Sequence, residues 1–199
     1  MIAKGGLIPI LLASVPFIFI LLLSTIYSQL FYVSFILLLL PIFSLYFFRD
    51  PDRKIEGGII SPADGKIVYV DREEKEIAIF MSIYDVHVNR SPYSGKIVKN
   101  KHHYGSHHPA YTDKSEKNEK NHIVLSTDHG NIDILQITGI FARRIVPYIN
   151  KNDIVEKGDK IGLIRFGSRV ELVLPDNSSI LVEEGEKVKT GQKIGEWND

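Results

Sequence analysis

Cysteine is absent from this chain. That excludes disulfides and thiolate metal sites and fits a reducing compartment. None of the common cofactor fingerprints is present, so demanding chemistry must come from ordinary side chains or from a group the chain makes out of itself. Charge is missing as well from Gly5 through Phe48. As one helix that stretch would extend about 66 Å, against roughly 30 Å of bilayer hydrocarbon, so a single span is too few. The polar patch from Ser24 to Gln29 divides it into Leu7–Leu23 and Leu30–Phe48, and a helical membrane hairpin over residues 1–48 is the expectation.

A secretory signal peptide is the competing reading, since Lys4 precedes an apolar run, but no clear small-x-small cleavage site separates the two apolar segments. The flanking charges are Lys4 on one side and Arg49, Arg53 and Lys54 on the other, with none at the tip. That pattern places both ends, and the domain from residue 49 to 199, on the cytoplasmic face of the cell membrane. Pro16 and Pro41 also admit a re-entrant hairpin. Beyond Lys4 the chain carries 23 basic and 24 acidic residues, a near-neutral balance that gives no sign of nucleic-acid binding.

From Ile59 onward short alternating strands are separated by Gly, Pro, Asn and Asp, and no long amphipathic helix occurs. The expected fold is mostly β, barrel- or sandwich-like, behind the α-helical hairpin. Two echoes mark the pattern. Ser61-Pro62-Ala63-Asp64-Gly65-Lys66-Ile67-Val68 returns as Ser91-Pro92-Tyr93-Ser94-Gly95-Lys96-Ile97-Val98. Val155 to Gly162 returns in Val182 to Val188 and again in Gly191 to Gly195. Such units suit hairpin-built barrels or sandwiches and also resemble carrier domains bearing lipoyl or biotinyl groups. The polar loop from Tyr104 to Asn121 reads either as a functional lid or as disordered chain.

Gly167-Ser168 can supply the missing group. Attack of the Ser168 hydroxyl on the Gly167 carbonyl converts the amide to an ester. β-Elimination then leaves a dehydroalanine that hydrolyses to a pyruvoyl ketone. The dipeptide alone is usually a turn, so its context must carry the reading. The chemistry needs a base and a group to orient it. Asp64, between a proline-containing turn and a glycine, is the candidate carboxylate; the alternative is a turn residue capping its own backbone. His87 is the candidate imidazole, with alternation placing Asp85, His87 and Asn89 on one strand face; the alternative is a solvated surface. His102, His103, His107, His108, His122 and His129 lack metal-ligand spacing, so no metal is expected. Gly105-Ser106 is a second possible self-cleavage bond, in a loop ill suited to imposing strain.

Six ordered blocks together resemble the phosphatidylserine decarboxylase proenzyme family, in the short form of bacteria and, as archaetidylserine decarboxylase, of archaea. They are Phe47 to Pro51, Ser61 to Gly65, Phe80-Met81-Ser82 leading to Asp85 to Arg90, Lys114 to Asn121 with its Asn-Glu-x-Asn core, Gly139 to Ile145, and Ile164 to Arg169. The resemblance implies cleavage between Gly167 and Ser168 into a β chain 1–167 and an α chain 168–199, held as a heterodimer that could assemble further. Ser168 becomes the covalent pyruvoyl cofactor, which forms a Schiff base with the serine amine of a membrane phospholipid and accepts the electrons left as CO2 departs. Asp64 and His87 match catalytic residues. Longer members carry a second histidine where this chain has Arg90, which leaves open whether His87 serves both reactions or His122 or another histidine substitutes. Arg143 or Arg144 would meet the lipid phosphate or the serine carboxylate, and Lys114 would close over the headgroup. The rival readings are a non-catalytic membrane-anchored carrier or adaptor, and a serine hydrolase using Ser168 that lacks the usual Gly-x-Ser-x-Gly elbow.

Overall fold

With no charge to solvate, the amino-terminal stretch folds as helices α1 (Leu7–Leu23), α2 (Leu30–Leu37) and α3 (Leu39–Phe47), with α1 packed against both of the others. The computed structural model describes residues 1–106, 118–139, 144–165 and 168–198. It divides into two compact units, Met1–Pro51 and Asp52–Asp199. Pro41 explains the interruption at Leu38: a proline ring collides with the carbonyl four residues back, here that of Leu37, and supplies no N–H. The ends of the helical unit are tied together, with Ala3 N–H donating to Phe48 O at 2.8 Å and Asp50 N–H to Met1 O at 2.7 Å. Taken together across Leu38, the helical stretch Leu30–Phe47 is long and apolar enough to cross a membrane by length and composition alone.

The second unit is built of strands. Eight form one sheet, in the order β13 (Lys187–Val188), β2 (Gly65–Asp71), β3 (Glu76–Met81), β11 (Ser168–Val173), β7 (Gly130–Thr138), β6 (Lys120–Thr127), β5 (Gly95–His103) and β9 (Ile154–Val155). Two three-stranded sheets accompany it. One is β1 (Ile59–Ile60), β14 (Lys193–Trp197) and β12 (Ser178–Ile180); the other is β4 (Val88–Arg90), β10 (Lys160–Ile164) and β8 (Ile145–Pro147). A single hydrophobic core gathers residues of all three sheets, among them Ile59, Ile67, Ile79, Ile134, Ile161, Val170 and Ile194. The mostly-β expectation holds, but the barrel does not: among the described residues no ladder closes the large sheet. Its edges, β13 and β9, are two residues each and stand at opposite ends of eight strands.

The Ser61/Ser91 echo, and that of Gly158 to Gly162 in Gly191 to Gly195, mark a pseudo-twofold axis between β11 and β7; the likeness of Val155 to Val182 does not follow it, since Val155 and Val188 occupy the equivalent places beside Gly95 and Gly65. Read from either end, the large sheet gives the same series, with β13, β2, β3 and β11 matching β9, β5, β6 and β7. The register agrees, since Leu172 pairs with Ile134 at the centre and a bulge falls at Ile67/Tyr69 in one half and Ile97/Lys99 in the other. Backbone bonds repeat too: Ser61 N–H donates to Gln192 O at 2.8 Å, and Ser91 N–H to Asp159 O at 2.7 Å. Gly65 and Gly95 are equivalent for a steric reason, because an added Cβ would lie 2.2 Å from Phe80 O in one and 2.3 Å from Ser126 O in the other. One half is the contiguous run β4 to β10. The other combines β1 to β3 with β11 to β14, so the chain enters the contiguous half after Met81 and leaves it before Ser168.

Candidate active site

Both crossings between halves carry chemistry. At the first, Asp85 folds a turn, its carboxylate accepting from Ser82 N–H at 2.8 Å and Ser82 Oγ at 2.7 Å. The chain then runs inward to His87, which is fully buried. His87 Nδ1 lies 2.9 Å from Asp85 O. A carbonyl can only accept, so Nδ1 carries the proton and the neutral ring's Nε2 is its basic nitrogen. The His87 carbonyl accepts from Ile164 N–H at 3.2 Å, binding this crossing to the strand that leads into the second. Burial of His87 and Asn89 rules out a solvated face, and Asp85 belongs to the turn instead of sharing a strand face with them.

At the second crossing Ser168 opens β11 between Met81 of β3 and Thr138 of β7. Its side chain is fully buried, and among the described residues its Oγ is a buried hydroxyl with no hydrogen-bond partner. Buried hydroxyls normally have one. Ser61 and Ser91, for example, donate to Ala63 O and Tyr93 O, both at 2.7 Å. Ser106, in the other candidate bond, lies 3.5 Å from Asn118 Oδ1.

Beside Ser168 runs a buried chain of amides. Asn121 Nδ2 donates to Gln136 Oε1 at 3.1 Å, and Gln136 Nε2 to Asn89 Oδ1 at 2.8 Å. Asn89 Nδ2 reaches Met81 Sδ at 3.5 Å, next to Ser168. Asn118 Nδ2 donates to Thr138 O at 2.7 Å, and Thr138 Oγ1 to Glu119 O at 3.1 Å. The Asn-Glu-x-Asn block thus fixes the strand on the other side of Ser168.

Asp64 flanks β3 on its far side. Its Oδ1 accepts from Thr190 N–H and Thr190 Oγ1, each at 2.9 Å, and its Oδ2 from Arg53 at 2.5 Å. The Thr190 bonds fulfil the capping alternative; the ion pair goes beyond it. Asp64 makes no hydrogen bond to His87. Two strand spacings, about 10 Å, separate it laterally from Ser168. Asp64, Lys66, Ser82, Asp85, Lys187 and Lys189 line a cavity of about 420 Å³.

His122 is held on the outer face by Asp133 and by Lys99, level with Leu135 and so with Glu171. Ser168 points the other way, into the core. Arg90 donates to Gly158 O at 2.9 Å and borders a different cavity. Arg144 is exposed, and its carbonyl accepts from Arg165 N–H at 3.2 Å. Burial, and then the charge of Arg144, hold the Arg165 guanidinium below its usual pKa. Lys114, Arg143, Gly167, His107 and His108 lie outside the described residues. Arg53, Thr190, Arg165 and Gln136 were given no site role from sequence.

The sequence pattern of the phosphatidylserine decarboxylase family matches residues 40–196, a stretch that takes in both crossings. The chain belongs to the phosphatidylserine decarboxylase family. It is 49% identical over 153 residues to a protein of Archaeoglobus fulgidus provisionally named archaetidylserine decarboxylase proenzyme, covering 77% of each chain. It is 42% identical over 176 residues to the phosphatidylserine decarboxylase proenzyme of Desulfotalea psychrophila, covering 81% of this chain and 82% of the relative. With that of Syntrophus aciditrophicus the identity is 40% over 196 residues, covering 89% and 92%. Family membership makes the chain an enzyme, a lyase of the decarboxylase class.

Proposed function

We propose that this enzyme removes the carboxylate of the serine headgroup of a membrane phospholipid, phosphatidylserine or archaetidylserine, giving the ethanolamine lipid and CO2, after cleaving itself between Gly167 and Ser168. The observation that carries the reading is the Ser168 hydroxyl: buried and unpartnered, at the start of β11, within the stretch that matches the family. A structural serine would spend that hydroxyl on a carbonyl, as Ser61 and Ser91 do.

In the self-cleavage the Ser168 Oγ adds to the Gly167 carbonyl carbon, the C–N bond breaks, and an ester joins the two residues. Removal of the Ser168 Cα proton expels the Gly167 carboxylate. Water then replaces nitrogen, which leaves as ammonia, and residue 168 begins a new chain as a pyruvoyl group. That group supplies an electron sink for decarboxylation. The remaining work belongs to side chains. His87, protonated on Nδ1 toward Asp85 O, can take or give a proton at Nε2, while Asp64 stands as the carboxylate on the cavity side. The Arg144–Arg165 pair of like charges would be relieved by an anionic headgroup.

The two product chains would stay together. β11 lies between β3 and β7, β14 beside β1, and β13 beside β2, so the small chain is laddered into the large one. The apolar hairpin 1–48 would hold residues 49–199 at the cytoplasmic face of the cell membrane, concentrating enzyme and lipid on one surface. The test is incubation of purified protein with phosphatidylserine vesicles. Ethanolamine phospholipid and CO2 in equal amounts are expected; hydrolysis products without CO2 would overturn the reading.

A further inference from the structure

The pseudo-twofold axis supplies an internal control for Asp64. Its counterpart is Ser94, and the counterpart of Thr190 is Lys157. Lys157 N–H donates to Ser94 Oγ at 2.9 Å, just as Thr190 N–H donates to Asp64 Oδ1 at 2.9 Å. Capping this turn therefore needs only a hydroxyl. What the half containing Ser168 adds is a second oxygen, a negative charge and a guanidinium to meet it. The Arg53–Asp64 pair is nearly enclosed, with side-chain exposures of 14% and 11%.

We propose that Arg53 is a positioning residue: it holds the second oxygen of Asp64 in place for the self-cleavage and decarboxylation proposed above, on which this inference rests. Three contacts from two sides leave the carboxylate one orientation. The two sides also lie in different product chains, because Arg53 and Asp64 precede the cleavage point and Thr190 follows it. The clasp thus keeps Asp64 fixed relative to the new chain end after the peptide bond is gone. Arg53 stands just beyond the run Phe47 to Pro51 and is the second residue of the second unit.

Other charges line the same cavity: Lys66 from β2, Lys187 from β13, Lys189 from the turn beyond it, and Asp85 from the first crossing. Asp85 is capped by Ser82. These groups are common to all variants below, so a difference between variants reports on Arg53.

The experiment follows appearance of the small fragment from freshly synthesised full-length protein with time, for wild type, Arg53→Met, Arg53→Lys and Ser94→Ala, each rate taken per folded protein from thermal melts. Arg53→Met leaves the second oxygen of Asp64 without its charge-assisted bond and is expected to slow cleavage of the folded protein about tenfold or more. Arg53→Lys, which keeps the charge without the fork, should restore part of that rate and stay below wild type, and Ser94→Ala should cleave at the wild-type rate. An Arg53→Met protein that cleaves at the wild-type rate overturns the inference. So does one that loses cleavage only in proportion to folded protein; if Arg53→Met does not fold, Arg53→Lys decides alone, the wild-type rate per folded protein counting against the proposal. A wild-type chain that never divides overturns the pyruvoyl reading and this inference with it.

Discussion

The two halves of the β unit share a backbone plan and differ in what they place on it. Ser168 opens β11 opposite Met81, and Gly130 opens β7 opposite Thr127; one position carries a buried hydroxyl and its twin has no side chain. Asp64 with Arg53 stands where the other half has Ser94 alone. His87 precedes β4 at the place that Gly57 takes before β1. What the halves have in common, such as the Ser-Pro turns, the bulges and the glycines pressed against a neighbouring carbonyl, belongs to the scaffold. What they do not share is the candidate chemistry, and it gathers where the chain crosses between them.

Making the halves alike should abolish function without abolishing the fold. Ser168→Ala erases the largest difference: a single uncleaved chain is expected, with decarboxylation reduced by about a thousandfold or more, read by mass and by CO2 release. Because the hydroxyl has no partner, its loss should leave the melting temperature unchanged or raise it. Asp64→Ser copies the Ser94 cap. It should keep a cooperative melt while lowering cleavage and turnover about a hundredfold or more; retention of wild-type rates would reduce Asp64 to its capping role.

Smaller effects sharpen the comparison on the structural side. Gln136→Leu strands the Asn89 and Asn121 amides in the core, each worth about 1–3 kcal/mol, and denaturant unfolding should show a loss of about 2–4 kcal/mol with slowed self-cleavage. Ser94→Ala removes only a turn cap. It should cost about 1 kcal/mol and leave fragment formation at the wild-type rate.

Local features of this fold were open to sequence reading, and non-local ones were not. The bounds of α1 followed from the polar patch that begins at Ser24, whereas the break at Leu38, three residues before Pro41, was not read from the sequence. The paired Ser-Pro-x-x-Gly runs showed repetition, but only strand register shows that the repeat is a twofold axis and that the sheet stays open. A barrel or sandwich was expected because hairpin repeats suit both; among the described residues the two-residue edge strands β13 and β9 pair only with β2 and β5 and do not join each other. At the site, Ser168, Asp64 and His87 were legible as motif residues. The partners of Asp64 were not, since Arg53 is 11 residues away and Thr190 126, joined to it by tertiary folding alone. Alternation at Asp85, His87 and Asn89 could not reveal burial, and the turn made by Ser82 and Asp85 removes one of the three from the strand.

The most direct measurement is the mass of the denatured full-length product, with sequencing of any small carboxyl-terminal fragment. The account predicts two chains that divide after Gly167, the smaller one blocked at its amino end by a ketone where Ser168 was encoded. A single intact mass from folded, membrane-associated protein that nevertheless releases CO2 from a serine phospholipid would contradict it.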